Sequence, residues 1–138
     1  MVYFSYADRR LFVRGKTQIK TSVASLFKRE KRLLKQIRYI FCSDDYLLEI
    51  NRSFLSHDFY TDIITFDLSE NSQAVTAEVY ISVDRVRENA EKQGCAFKQE
   101  LLRVIYHGAL HLCGFKDKTK SELTQMRNKE DEYIRLFG

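Results

Sequence analysis

Proline is missing altogether from the 138 residues. With no proline-rich tract, no low-complexity stretch and no internal repeat, nothing marks a linker, and a single domain over residues 1–138 is expected. A chain of this length is long enough to bury its own core. No stretch comes near the roughly 18 consecutive apolar residues that a membrane-spanning helix needs, so no such helix and no membrane partner are expected. Residues Met1–Arg10 lack a basic start followed by an apolar core, which argues against a secretory signal. The cysteines are three, Cys42, Cys95 and Cys113, with no paired spacing. That pattern predicts reduced thiols, no disulfide partner and a cytoplasmic location.

The charge is unevenly placed. Residues 14–38 carry nine basic side chains and one acidic one, Glu30, although the formal net charge of the whole chain is only +4. Lys28, Arg29, Lys31, Arg32, Lys35 and Arg38 therefore form a candidate RNA-binding surface. A solvated helix face and turn would give the same run.

Hydrophobic periodicity supplies the elements. Val2–Tyr6 reads as a first strand, and Thr17–Lys28 as a helix with Ile19, Val23, Leu26 and Phe27 on one stripe. Lys35–Cys42 alternates as a second strand. Ser43-Asp44-Asp45 reads as a capped helix start, followed by Tyr46, Leu47, Ile50 and Phe54. His57 and Asp58 fall in the loop beyond it. Ile63–Asp67 is a short strand, Ser69–Thr76 a hairpin loop and Val79–Ile81 a fourth strand entered through Glu78. Ser82 caps a helix to Gln93, which Gly94 stops. The next helix runs from about Lys98 to Cys113. Thr119 and Glu122 have capping-box spacing and open a last helix with Leu123, Met126, Tyr133 and Phe137 inward. The expected fold is α+β, with a four-stranded mixed sheet covered by about five helices and the apolar 98–113 helix central.

That central helix carries the chemistry. His107 and His111 stand four apart, on one helix face, where two imidazoles can grip one ion. Gly114 marks the reversal after the helix, and Asp117 is the first carboxylate beyond it. Two histidines and one carboxylate leave a coordination position open, as in catalytic rather than structural zinc sites. The site would hold one divalent ion per chain. Gly108, inside the helix, costs about 1 kcal/mol against Ala, which implies that something approaches the helix closely there. It also stands where the zinc metalloprotease motif has its glutamate base, so a peptidase would need Glu78 or Asp62 to reach the site from the sheet. Cys113 reads as a small buried hydrophobe.

The stretch His107-Gly108-Ala109-Leu110-His111-Leu112-Cys113-Gly114-Phe115 resembles the signature of the YbeY family, single-domain bacterial endoribonucleases of ribosomal RNA maturation. Asn51 with Thr61-Asp62-Ile63-Ile64-Thr65-Phe66, and Glu78-Val79-Tyr80-Ile81-Ser82, are similar to two further blocks of that family. The resemblance spans almost the whole chain. It implies a metal-dependent hydrolase, usually assigned zinc, that cuts single-stranded RNA. It further implies maturation of the 16S rRNA 3′ end and ribosome quality control, with the small subunit or its assembly factors as partners. Two departures stand out. Asp117 occupies the place of the family's third His, which makes the loaded site one charge less positive and a weaker Lewis acid. Leu55 occupies the place of the family's Arg, so Lys116, Lys118 or Arg52 would have to supply that cation. The candidates for direct catalytic roles are Glu78, Asp62 and Lys116. The rival to an enzyme is an RNA-binding assembly factor whose metal only ties helix to loop.

Overall fold

The computed structural model describes residues 1–138. Four strands form one sheet: β1 (Val2–Tyr6), β2 (Leu34–Cys42), β3 (Ile63–Asp67) and β4 (Val75–Ser82), in the order β1-β2-β4-β3. The pairs β1/β2 and β2/β4 are parallel, and β3 closes the edge antiparallel to β4. Five helices complete the chain: α1 (Lys16–Arg29), α2 (Asp44–Leu55), α3 (Val83–Gln93), α4 (Phe97–Leu112) and α5 (Lys120–Phe137). The α+β expectation holds. No helix is long and apolar enough to cross a membrane, and the three cysteines are unpaired.

The caps legible in the sequence form as hydrogen bonds. The Ser43 and Ser82 hydroxyls accept from the Tyr46 and Arg85 amides, and Thr119 and Glu122 close a capping box. Gly94 ends α3 at φ 67°, a left-handed conformation that a side chain would strain.

On one face of the sheet, Ile37, Tyr39, Phe41, Val79 and Ile81 meet α1 and α4 in a core of 24 buried residues. The other face is covered by α2 at only one end, where Leu47 packs on Cys42 and Ile64. β2 is therefore buried on both sides over Tyr39–Cys42, and its one-sided alternation ends there. The main correction concerns β4. It begins at Val75, because Val75 pairs with Leu34 and Ala77 with Ile37 on β2, so the hairpin loop ends earlier than expected and Glu78 lies mid-strand. On α5, Met126 and Tyr133 are buried as expected, whereas Leu123 and Phe137 are exposed and Glu130 is buried beside the other two.

Helix α4 is central, as expected. Ten of its sixteen residues are buried, and Gly108 lies against the sheet edge. A Cβ there would stand 2.9 Å from Ile63 Cδ1, 3.3 Å from Val79 Cγ1 and 3.5 Å from Thr65 Oγ1. The close approach implied by that glycine is the sheet edge itself, which brings β3 against the histidine-bearing turn.

Candidate metal centre

Helix α4 ends at Cys113, and Gly114, at φ 101°, turns the chain back. The turn is tied by the Gly114 amide to the His111 carbonyl and the Phe115 amide to the Leu110 carbonyl, each at 3.0 Å. Asp117 returns beside the helix two residues before the Thr119 cap of α5. The local sequence thus fixes three side chains from two elements within a short span.

Each imidazole has one nitrogen committed elsewhere. His111 Nδ1 lies 2.9 Å from the Phe115 carbonyl, which can only accept, so that nitrogen donates. His107 Nδ1 donates to Glu130 Oε2 at 2.6 Å. Glu130 is only 4% exposed and is held in turn by Arg103, whose Nη1 donates to Oε1 at 3.2 Å. Arg103 also pairs with Asp131 at 2.9 Å. Burial opposes a charge on His107, but the hydrogen bond and charge of Glu130, with Asp117 and Asp62, outweigh it and raise its pKa above the ordinary value.

The remaining nitrogens converge. His107 Nε2 and His111 Nε2 are 3.0 Å apart, and Asp117 Oδ2 lies 3.2 Å and 3.1 Å from them. With both Nδ1 atoms donating, neutral rings point two lone pairs at each other and at a carboxylate oxygen. In that neutral state the three atoms form a donor set that suits a cation. The separations agree with N and O donors bound at about 2.0–2.1 Å to a single ion, which lie roughly 3.3 Å apart when tetrahedral. His107, His111 and Asp117 are each half-buried, and one ligand atom from each lies within 4.8 Å of the other two.

Two cavities border this triangle. One, of about 540 Å³, opens over all three donors and is bounded by Asn51, Leu55, His57, Phe59, Asp62 and Thr65 among others. The second, of about 380 Å³, lies behind His107, between α3, α4 and α5. Asp62 borders both, half-buried, and burial raises its pKa, with the nearby His107 opposing.

The other expected site residues fall elsewhere. Glu78 is a correction: strand alternation puts it on the opposite face of β4 from Val79, away from α4, and it borders neither cavity. Lys116 is exposed and also borders neither. Arg52 is held by Asp58 at 2.5 Å and Glu49 at 3.8 Å. The six basic residues of the 28–38 run lie outside both cavities. Lys28, Lys31 and Arg32 line a separate depression at the end of α1, and Arg32 also donates to the Ser72 carbonyl. Arg29 lies over the Tyr133 ring, Arg38 over that of Tyr3, and Lys35 is exposed. Cys113 stays outside the triangle, and burial pushes its thiol up to about 12.

Sequence reasoning missed Glu130. The available signal was the spacing Met126, Glu130, Tyr133, a carboxylate set into the apolar stripe of a helix.

Comparison with known proteins resolves the lineage. The family model described as "Endoribonuclease YbeY" matches residues 9–138. The chain belongs to the YbeY family. An endoribonuclease YbeY from Cytophaga hutchinsonii is 47% identical over 135 residues, spanning 98% of this chain and 94% of that protein. Another from Flavobacterium psychrophilum is 44% identical over 137 residues, spanning 99% and 96%. Among solved structures, the solution structure of TM1509 from Thermotoga maritima matches with a TM-score of 0.64 and 26% identity, covering 97% of this chain and 87% of that one. This YbeY member thus keeps the family fold, with Asp117 as one corner of the triangle and Leu55 on the border of the groove above it.

Proposed function

We propose that this chain is a divalent-metal-dependent endoribonuclease that hydrolyses phosphodiester bonds of single-stranded RNA. The observation that carries the reading is the triangle of two Nε2 atoms and one carboxylate oxygen, 3.0–3.2 Å on a side, on the floor of an open groove. His107, His111 and Asp117 would hold the ion, and zinc suits two imidazoles and one carboxylate. When bound, such an ion supplies Lewis acidity toward a phosphoryl oxygen. The chain's own groups do the rest. Glu130 and the Phe115 carbonyl fix which nitrogen of each ring faces the groove. Asp62 borders the same groove, and its raised affinity for a proton makes it the base we assign to the attacking water.

The relatives' shared name and the family's link to ribosomal RNA support rRNA processing as the setting, with the 3′ end of 16S rRNA as substrate and small-subunit particles or assembly factors as partners. A cytoplasmic location goes with this reading, and the three free thiols support it. Peptidase chemistry is disfavoured because Gly108 holds the motif position of the glutamate base, and of the two carboxylates that could replace it Glu78 faces away and only Asp62 borders the groove. The assembly-factor reading draws on one observation, that no lysine or arginine borders the groove over the donors.

The deciding experiment is cleavage of a fluorescent single-stranded RNA by protein loaded in turn with different divalent ions. The nuclease reading expects cleavage that stops on chelation and in His111→Ala, with the circular dichroism of the variant unchanged. Tight RNA binding without cleavage under any ion would overturn it in favour of the assembly factor.

A further inference from the structure

The groove over the three donors is unfavourable for a polyanion. Asp62, Asp67 and Asp117 line it, together with apolar Leu55 and Phe59. The basic side chains nearest in sequence are either spent or turned away. Arg52 is held by Asp58 and Glu49, Arg85 by Asp44 at 2.6 Å, and neither Lys116 nor Lys118 borders the groove. Apart from His107 and His111, the one side chain on the wall that can offer a positively charged donor is His57.

His57 sits on a loop held in place rather than on a loose tip. Ser56 ends α2 in the left-handed region at φ 55°, and the His57 amide donates to the Asn51 carbonyl at 3.0 Å. Asn51 is buried, and its Nδ2 donates to the Phe59 carbonyl at 2.9 Å. One residue of α2 therefore straps both ends of the His57–Phe59 segment. The His57 ring stacks on that of Phe59, centroids 5.1 Å apart and 23° between planes, and neither ring nitrogen has a hydrogen-bond partner within the chain. An imidazole presents an N–H to an anion in either charge state, and two when protonated.

We infer that His57 donates a hydrogen bond to a backbone phosphate of an RNA strand lying in this groove, with Phe59 and Asn51 setting the direction of the ring. The ligand class rests on the nuclease reading above; the geometry of the donor does not. Because the contact is to the backbone, it carries no base preference.

The test uses the full chain, metal-loaded, with short phosphorothioate oligoribonucleotides checked to stay uncut during the measurement, alongside the cleavable RNA. His57→Ala is expected to weaken binding about tenfold, by the same factor for purine and pyrimidine probes, with the bound metal unchanged. His57→Arg, which restores a donor, is expected to bind within about threefold of the wild type. Equal binding by wild type and His57→Ala, or a loss that His57→Arg does not reverse, overturns the contact. So does metal loss in His57→Ala, which would make the loop a support for the centre instead. Wild-type protein that binds the probes through His57 yet cuts no RNA would leave the contact standing and remove the nuclease reading.

Discussion

Each imidazole of the pair has one nitrogen spent and one free, and the partner of the spent nitrogen decides what the free one can do. For His107 that partner is the Glu130 carboxylate, 2.6 Å away and nearly inaccessible to water. Its charge makes His107 a better donor to a cation and fixes the ring. Glu130→Gln is expected to keep the fold and to lower divalent-ion affinity about 10–100-fold in a chelator-competition titration. Unchanged affinity would mean that the carboxylate serves only Arg103. A second carboxyl, Glu100, shows the opposite economy. It is 3% exposed, and its Oε1 accepts no hydrogen bond, with Arg103 no closer than 3.8 Å. Burial raises its pKa, helped by Asp62 and opposed by Arg103. The folded chain therefore holds this proton more tightly than the unfolded one. The resulting stabilisation is complete below the unfolded value of about 4.3 and is lost as pH rises through the higher folded value. Glu100→Gln, which cannot ionise, should lose less melting temperature than wild type between acidic and neutral pH. A parallel fall in both proteins would contradict this.

At the scale of elements, α4 positions its histidines by how closely it sits on the sheet. Gly108 allows that approach, since a Cβ would crowd Ile63 and Val79. Alanine gains about 1 kcal/mol of helix propensity and needs only the end of the Ile63 side chain and the Val79 methyl to give, so Gly108→Ala should stay within about 1 kcal/mol of wild type. Gly108→Val adds branching that cannot be absorbed this way, and should destabilise by about 1–3 kcal/mol in denaturant unfolding while weakening ion binding next door at His107. Full ion affinity in a destabilised Gly108→Val would show that packing and site are independent. Elements whose signals are local were legible in the sequence: the Ser43, Ser82 and Thr119 caps, the Gly94 stop and the four-residue histidine spacing all act within a turn or two. The start of β4 was not, because Val75–Glu78 is mostly small or polar and becomes strand only by pairing with Leu34–Arg38, about 40 residues earlier. The same error made Glu78 look like an entry to the site, when strand alternation turns it to the other face.

At the scale of the molecule, the centre forms where segments far apart in sequence meet: the end of α4, the turn to α5, the edge strand β3 and the loop after α2. The ligand set could be read from residues 107–117 because that span is nearly self-contained. Glu130 and His57 could not be assigned, since nothing near either residue names the histidines they serve or border. The basic 28–38 run was visible as charge but not as position, and the fold spends it around the α1–β2 end. The central claim is that one divalent ion is held by His107, His111 and Asp117, and its most direct measurement is elemental analysis of the protein purified without added metal, beside His111→Ala. The account predicts one divalent ion per chain in the wild type and close to none in the equally folded variant. A wild-type chain that takes up no divalent ion, or a variant that carries as much as wild type, would contradict it.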